Sequence, residues 1–417
     1  MKNSEILLLN SLDGFLREKP IAQQKLMSQE WEELLQLAYG HKVIPMVYDT
    51  LGDSGMVEQI PFKYAGLWKS NAVQEVIIQV QKSRLFIDFY SQLRQAGVSC
   101  LVLKGIILRS LYRKPDSRPS GDEDLLLKRE DYPVFQEVCR KYQFRMIPES
   151  ESRSEVAYFN RETGLKLEVH FELFSSQSDS YGDLNEPFED ASKHCMEVMI
   201  QGQRLLTLDA MEHFLYLVLH SFKHFIHSGF GIRQICDIIV FAERYGQSFD
   251  WDYLNHTTKR YHADVFMMNI LDIGRQYLSF SYKKAGIPKE LTEIYAGRID
   301  TAELLEDIFS AGIYGSSSQT RLHSSLITLN AVAASKKSVK VKGGLGRTLF
   351  PRRKDLESAY PYLRENRFLL PIAWTQRMYC YMRELLFHNK GKKNSAFDSV
   401  FLGNHRVELL RKYGIIR

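Results

Sequence analysis

The sequence predicts an α+β fold in which a small mixed sheet is embedded between N-terminal and C-terminal helical regions. Only the segment between residues 97 and 175 alternates short apolar runs with turns, in the order β-α-β-α-β-β. The sequence on both sides of this segment follows helical spacing. The chain has 417 residues, 44% hydrophobic and 25% charged, which is the composition of a globular protein with two or three domains.

The N-terminal helical region covers residues 1–95. Pro20 and Pro61 stand where the first turn of a helix tolerates proline. No proline or cluster of turn residues interrupts the pattern from Pro61 to Arg94. We therefore expect one long helix there, ending near Gly97.

The α/β core covers residues 96–205. The apolar, β-branched run from Val98 to Leu103 predicts a buried strand, and the Lys104-Gly105 turn follows it. The other predicted elements of the core follow in chain order: a helix at 106–112, a strand at 122–127, a helix at 131–142, and strands at 155–159 and 165–173.

Two further helical regions complete the predicted organisation, residues 206–300 and 301–417. The clearest helical patterns in them run over 209–228 and 231–245. A basic segment at 336–354 contains eight lysines and arginines and no acidic residue. It predicts either a solvated loop or a contact with nucleic acid, an anionic lipid surface or a triphosphate.

Composition excludes several classes of protein. The five cysteines are scattered without a Cys-x-x-Cys pair, which argues against a structural zinc site or a disulfide framework. No run approaches the ~18 apolar residues of a membrane span, and the N-terminus lacks the pattern of a secretion signal. We therefore expect a soluble, cytoplasmic protein. A net charge of +5 neither demands nor excludes a polyanionic partner.

A pair of carboxylates is the first feature that indicates chemistry. Asp122 and Asp124 are two residues apart on a predicted strand, so both side chains project from the same face. Carboxylates placed in this way can share divalent cations, as in enzymes of phosphoryl transfer. Asp250 and Asp252 form the same triplet elsewhere in the chain. The pair alone therefore favours a solvated, acidic strand end over a metal site.

The neighbouring predicted strand strengthens the functional interpretation. Polarity alternates strictly from Lys166 to Glu172, with Glu168 on the polar face. If this strand lies beside the first, Glu168 completes a cluster of three carboxylates. The Lys104-Gly105 turn stands between a strand and a helix, where free N–H groups and the helix dipole favour a phosphate.

Several runs of the sequence resemble the uncharacterised nucleotidyltransferase family, part of the polymerase-beta-like nucleotidyltransferase superfamily. The family pattern is a Lys-Gly after the first strand, an Arg-Pro-x-Gly-Asp-x-Asp segment and an acid-x-His on a later strand. The matching runs are Leu101-Val-Leu-Lys-Gly105, Arg118-Pro-Ser-Gly-Asp-Glu-Asp124, Leu167-Glu-Val-His170, His220-Ser-Phe-Lys-His224, Arg233 to Asp237 and the earlier His41-Lys-Val-Ile-Pro45.

The resemblance implies a polymerase-beta-like nucleotidyltransferase core that binds Mg²⁺, or Mn²⁺ in its place. Asp122 and Asp124 would be metal ligands, and Glu168 a third ligand or the base for the attacking hydroxyl. A nucleoside triphosphate such as ATP would be bound by residues of the matching runs: Lys104, Gly105, Arg118, Ser120, Gly121, His170, His220 and His224.

Two positions depart from the superfamily pattern. Ile106 follows Gly105 where the superfamily usually has serine or glycine, which removes a serine contact with phosphate. Glu123 stands between the two aspartates where an apolar residue is usual, and we expect it to point away from the metals, toward the core or an edge. This departure motivates an alternative function, a non-catalytic nucleotide sensor or assembly module on the same fold.

One predicted helix carries a stripe of histidines opposite an apolar face. The stripe can hold zinc, since two of its members have i, i+4 spacing; it can line a nucleotide cleft; or it can be merely hydrogen-bonded or solvated. Arg233 and Asp237, one turn apart on the next helix, are an ion pair or substrate contacts. The stripe consists of His213, His220, His224 and His227.

The sequence thus leads to three functional hypotheses. The first is a Mg²⁺-dependent nucleotidyltransferase in which Lys104 and Gly105 contact the triphosphate, Glu168 assists an acceptor hydroxyl, and Arg118 steadies the leaving pyrophosphate. The second is the non-catalytic sensor, and the third is a zinc-dependent hydrolase built on the His220/His224 helix. The acceptor is a small molecule, a sugar, a peptide or a protein; nucleic acid is not favoured, because no motif for it is recognisable.

Overall fold

The computed structural model describes residues 1–191, 193–311, 319–336, 353–356, 360, 362–376, 379 and 396–416. Contacts divide the chain into two compact units. The first comprises Met1–Ser221 and Ile232–Phe309, and the second comprises Phe222–Gly231 and Ser310–Arg417. Residues 337–352 of the basic segment lie outside the described residues. The division into four regions with boundaries at 95, 205 and 300 stays a prediction.

The first unit begins with four helices, and the last of them is the long helix expected from the sequence. α3 packs against both α1 and α4. The long helix starts directly after Pro61 and ends two residues before Gly97, which has the left-handed φ of +81°. The four helices are α1 Asn3–Arg17, α2 Ser28–Gly40, α3 Ile44–Asp53 and α4 Phe62–Gln95.

A five-stranded mixed sheet forms the centre of the first unit and confirms the predicted α+β class. The strand order is β1-β2-β5-β4-β3, and β2 with β5 is the parallel pair. Two short helices interrupt the strands, α5 Ile106–Arg109 and α6 Tyr132–Lys141. The strands are β1 Cys100–Val102, β2 Asp122–Leu127, β3 Phe144–Ile147, β4 Glu155–Asn160 and β5 Lys166–His170.

Three strands were not predicted. β3 is four residues long and exposes its two middle residues, so it has no apolar run to mark it. The other two, β6 Cys195–Ile200 and β7 Gln203–Leu208, form a separate hairpin. Gln201 and Gly202 both have positive φ between them, which is the conformation of a type I′ turn. A residue followed by glycine between two strand-like runs was therefore the signal available in the sequence.

One face of the sheet packs in a hydrophobic core, and the opposite face carries polar side chains. Leu125 and Leu127 on β2, with Leu167 and Val169 on β5, share a hydrophobic core with α4 and α6. At its centre the Phe89 ring of α4 lies edge-on to a phenylalanine of α6, with the ring centroids 5.7 Å apart. Because side chains alternate along a strand, the aspartates of β2 are on the opposite face.

Helices make up the rest of the described chain. The first unit continues through α7 Ala210–His227, which extends into the second unit, and through α8 Ile232–Tyr245, α9 Trp251–Arg260, α10 Asp264–Tyr277, α11 Lys289–Tyr295 and α12 Thr301–Ala311. The second unit contains α13 Gln319–Lys336, α14 Arg353–Leu356, α15 Tyr362–Glu365 and α16 Ala396–Lys412, and α13 packs against α16. Among the described helices, none has both the length and the apolar character needed to cross a bilayer.

Glu123 faces the buried side of β2 and fixes the turn between β1 and α5. Its Oε2 accepts a hydrogen bond of 2.7 Å from the Ile106 backbone N–H. Its Oε1 lies 2.7 Å from a guanidinium nitrogen of Arg109, and both side chains are 1% exposed. Gly105 has a φ of +56°, and a Cβ there would lie 1.9 Å from Glu123 Oε2. The carboxylate thus points away from the aspartates, as the sequence predicted.

A second buried ion pair holds the loop that leads into β2. Arg118 donates to both carboxylate oxygens of Asp237 on α8, at 2.9 and 2.5 Å, and Tyr112 donates to the same carboxylate at 2.8 Å. Arg233 donates instead to the backbone carbonyl of Pro119. The expected pair between Arg233 and Asp237 is therefore wrong: the loop supplies a planar guanidinium that fits the carboxylate in a bidentate arrangement.

Replacing Glu123 with alanine should destabilise the protein strongly. Removing one member of a buried ion pair leaves the other charge without compensation, which costs ~3–5 kcal/mol. Urea unfolding of the variant should therefore show a lower free energy of unfolding by that amount. Glu123→Gln should lose less, because its amide oxygen still accepts the bond from Ile106.

The exposed Glu130 provides the matched control. Glu130→Ala should stay within about 0.5 kcal/mol of wild type, as surface substitutions usually do. A Glu123→Ala protein as stable as this control would contradict the role assigned to the buried carboxylate.

Candidate active site

The structure brings three acidic side chains of two strands together. Asp122 and Asp124 project from the polar face of β2, and the parallel register places Asp124 opposite Glu168 of β5. Glu168 is therefore on the same side of the sheet as the aspartate pair. Asp124 is 1% exposed, whereas Asp122 and Glu168 are half-buried.

Asp124 is the carboxylate with the strongest compensation. Its Oδ1 lies 3.1 Å from Lys104 Nζ and 3.2 Å from His170 Nε2. Burial alone would raise the pKa of Asp124, but the Lys104 ammonium and the hydrogen bond from His170 outweigh it and hold the pKa well below its usual value. The second oxygen, Oδ2, is buried and has no hydrogen-bond partner.

Asp122 is in the opposite situation. Burial and the negative charges of Asp124 and Glu168 together raise the pKa of Asp122 from 3.8 to about 7. No cation is as close to it as Lys104 is to Asp124 among the ion pairs of the described residues. Like-charge repulsion within the cluster is therefore concentrated at Asp122.

A histidine joins the acidic cluster. His170, the last residue of β5, is 4% exposed, and its Nδ1 lies 3.5 Å from Glu155 Oε2 of β4. One potential ligand atom from each of Asp124, Glu168 and His170 lies within 4.8 Å of the others. In the described part of the chain this is the one group of three or more residues that can hold a metal ion. The resemblance had implied Asp122 in this group and His170 as a contact of the nucleotide.

Lys104 connects the cluster to the histidine helix. Its Nζ lies 2.9 Å from His220 Nε2 on α7, and His220 Nδ1 lies 3.3 Å from the Tyr216 hydroxyl. His213 is buried; its Nδ1 lies 3.1 Å from Thr207 Oγ1, and its Nε2 contacts the Leu103 carbonyl. Two of the four histidines are thus hydrogen-bonded within the first unit, and one of them contacts the active-site lysine.

His224 lies one helical turn after His220 and belongs to the second unit. His227 is also in that unit, and burial lowers its pKa from 6.5 to about 4. Contact of His224 with a nucleotide stays a prediction.

The turn after β1 differs from the expectation of free backbone donors. The Ile106 N–H is taken by Glu123, and the Ile107 N–H bonds to the Lys104 carbonyl. The expected phosphate cradle of free N–H groups is therefore wrong at these two positions, because a carboxylate already occupies the turn. Lys104 is the group here that remains directed at the acidic cluster.

The loop before β2 is held by contacts within the protein. The Ser120 N–H donates to Gln79 Oε1 at 2.7 Å, and its hydroxyl donates to the Asp122 carbonyl at 2.8 Å. Gly121 is exposed beside it, and Arg118 is paired with Asp237. Contacts of Arg118, Ser120 and Gly121 with a nucleotide stay predictions.

Two lysines near the cluster were missed at the level of sequence. Lys166 Nζ lies 2.5 Å from Glu168 Oε1, and Lys82 of α4 lies 3.5 Å from the Ser120 carbonyl oxygen. Lys166 stands on the polar face of the alternating strand, so its position was available from the pattern. Lys82 lies 38 residues before Ser120 and comes near the cluster only through the packing of α4. No local pattern marks it.

Comparison with known proteins bears on the whole of this site. No curated protein and no solved structure shows significant similarity to the chain. The sequence profile of the uncharacterised nucleotidyltransferase family matches residues 27–279, more than half of the chain and a range that includes the acidic cluster, Lys104 and the histidine helix. The resemblance seen in the motifs is thereby confirmed, and the protein belongs to the uncharacterised nucleotidyltransferase family.

Proposed function

We propose that this protein is a Mg²⁺-dependent nucleotidyltransferase that moves a nucleoside monophosphate from a nucleoside triphosphate to an acceptor hydroxyl, with release of pyrophosphate. One observation carries the proposal. The parallel pairing of β2 with β5 sets Glu168 opposite Asp124, beside an imidazole and a lysine. Family membership supports nucleotidyl transfer in general, and the acidic cluster supplies the charge that this chemistry needs.

The residues of the cluster suit a divalent cation. The buried Oδ2 of Asp124 has no hydrogen-bond partner, and nearby negative charges help to raise the pKa of Asp122. Carboxylate oxygens are the ligands that Mg²⁺ and Mn²⁺ prefer, and an imidazole is tolerated beside them. Asp124, Glu168 and His170 would hold the ion, with Asp122 at the open side. A bound cation would neutralise the charge that develops on the phosphates during transfer.

Protein side chains would perform the remaining tasks. Lys104 would direct its ammonium at the triphosphate, and His220 and Tyr216 hold this lysine in place. Glu168 would accept the proton of the acceptor hydroxyl as its oxygen attacks the α-phosphorus. Glu155 would orient the His170 ring from behind, as a carboxylate often does for a ligating histidine.

Substitution of the cluster carboxylates tests the proposal. Asp124→Asn and Glu168→Gln should each lower nucleotide-dependent pyrophosphate release at least a hundredfold, because charge stabilisation and positioning supply most of the rate in this chemistry. Release is measured with the four nucleoside triphosphates and a panel of hydroxyl-bearing acceptors. Calorimetry should show that Asp124→Asn also weakens Mg²⁺-dependent nucleotide binding.

Asp252→Asn and Glu162→Gln are the matched controls, since both side chains are exposed acids outside the cluster. Both should behave as wild type. Undiminished activity of Asp124→Asn would refute the assignment. Tight nucleotide binding by the wild type without turnover on any acceptor would instead indicate the non-catalytic sensor.

Replacing Asp122 should make the metal-free protein more stable, because it removes a carboxylate that is repelled by its neighbours. In the folded protein the pKa of Asp122 is about 7, above the ordinary 3.8, so the folded state binds more protons between these values. The ionised carboxyl therefore makes folding progressively less favourable from about pH 4 to pH 7, and by a constant amount above pH 7. Asp122→Asn removes this effect.

Thermal unfolding in EDTA measures the effect of the Asp122 carboxyl on stability. The melting temperature of Asp122→Asn should exceed that of wild type by about 2 °C or more at pH 8, and the difference should shrink toward zero near pH 4. Asp252→Asn should show no such dependence. A variant that is less stable than wild type at pH 8 would contradict the charge repulsion assigned to the cluster.

A further inference from the structure

Two lysines that the proposed reaction does not use lie near the start of β5. Lys166 is the first residue of β5, with its Nζ 2.5 Å from Glu168 Oε1. Lys82 extends from α4 to the Ser120 carbonyl oxygen, 3.5 Å away. Its Cε lies only 3.9 Å from the point where a side chain would begin on Gly164, two residues before β5. Lys82 and Lys166 therefore share the start of β5.

This position is opposite that of Lys104. The sheet order is β1-β2-β5, so β2 with its two aspartates lies between the strand that precedes Lys104 and the strand that carries Lys166. Neighbouring strands are about 4.8 Å apart, which separates the two sides by roughly 10 Å. The carboxylates thus have Lys104 on the β1 side and Lys166 on the β5 side, and Lys82 of α4 approaches the starts of both β2 and β5.

The lysines on the two sides differ in how well the protein compensates their charge. Lys104 Nζ is paired with Asp124 Oδ1 at 3.1 Å. Lys166 Nζ is likewise paired with Glu168 Oε1 at 2.5 Å. At Lys82 burial prevails over the attraction of Asp122, and the pKa is lowered. Lys82 is therefore a partly desolvated cation with incomplete compensation from the protein.

The catalytic assignment gives each side a different substrate. Lys104 on the β1 side would contact the triphosphate. Glu168 on the β5 side would receive the proton of the acceptor, and Lys166 touches Glu168 directly. A cation at this place would lie beside the reacting hydroxyl of the acceptor, and Lys82 adds a second cation near the start of the same strand.

We propose that Lys82 and Lys166 form an anion-binding subsite for the acceptor, which therefore carries a phosphate or carboxylate group close to its reacting hydroxyl. The proposal rests on the nucleotidyltransferase function. The acceptor oxygen forms a bond to the α-phosphorus, the bond from that phosphorus to the pyrophosphate oxygen breaks, and the hydroxyl proton passes to Glu168. Lys82 and Lys166 hold the anionic group of the acceptor and take no part in the exchange of bonds.

Anion binding by the full-length protein tests the subsite. The protein is saturated with Mg²⁺ and a non-hydrolysable triphosphate, then titrated calorimetrically with inorganic phosphate and, separately, with acetate. The anion that binds more tightly distinguishes a phosphate-bearing from a carboxylate-bearing acceptor. Lys82→Met and Lys166→Met should each weaken this binding about tenfold or more, as expected when a charge-assisted contact is lost.

Lys69→Met on the exposed side of the same helix is the control and should bind the anion as wild type does. The affinity for the triphosphate analogue should change less than about twofold in Lys82→Met and Lys69→Met, which also reports that they are folded. The subsite is refuted if the wild type binds neither anion at about 10 mM, or if the control loses as much affinity as the two variants. It is also refuted if Lys82→Met weakens the triphosphate instead.

Failure of the subsite and failure of the function give different results. If the wild type does not bind the Mg²⁺–triphosphate complex, the proposed transferase is wrong. Anion binding that depends on Lys82 and Lys166 would in that case support an anion site at these lysines, but not its assignment to an acceptor. If the complex binds and the anion titrations are flat, only the subsite falls.

Discussion

The candidate site depends on three carboxylates that converge on one face of a parallel strand pair. Two carboxylates from β2 and one from β5 face the same side because the register sets Asp124 beside Glu168. Such a cluster persists only with compensation. Lys104 and His170 provide it at Asp124, whereas Asp122 is left with a raised pKa. A site whose charge the protein compensates only in part could hold a cation.

The buried face of β2 shows how the chain accommodates an unusual residue. Glu123 stands between two aspartates of the cluster, yet its carboxylate lies on the core side, between the Gly105 turn and Arg109. It accepts the Ile106 N–H at that turn. The departure from the usual sequence pattern therefore lies on the buried face of β2, and the two aspartates remain on the opposite face. Arg118 acts similarly, since it fixes the loop before β2 to α8.

Much of the α/β core could be predicted from local patterns. Three features are each marked by a pattern within the element itself: the long α4 helix, the aspartate strand and the alternating strand around Glu168. The pairing of β2 with β5 is not marked in this way, because the two strands are separated by about 40 residues and nothing local fixes their register. Alternation put Glu168 on the polar face, the resemblance implied its role, and the structure adds the pairing that sets it opposite Asp124.

Other features of the site could not be read at all. His170 was expected beside the nucleotide, and only its contact with Asp124 places it among the potential metal ligands. Lys82 is on a helix whose own pattern gives it no special place, and its function depends on where that helix packs. Helical spacing favoured a local pair of Arg233 with Asp237. In the structure Asp237 pairs with Arg118 instead, and this partner is set by tertiary packing.

The most direct measurement is the location of a bound metal. Crystals grown with Mn²⁺ and a non-hydrolysable triphosphate give an anomalous signal that identifies the ion without assumptions about activity. A peak in contact with Asp124 and Glu168, with Lys104 turned to the phosphates, is the result that this account predicts. A peak on the histidines of α7, or nucleotide bound away from an acidic cluster that holds no ion, would contradict it.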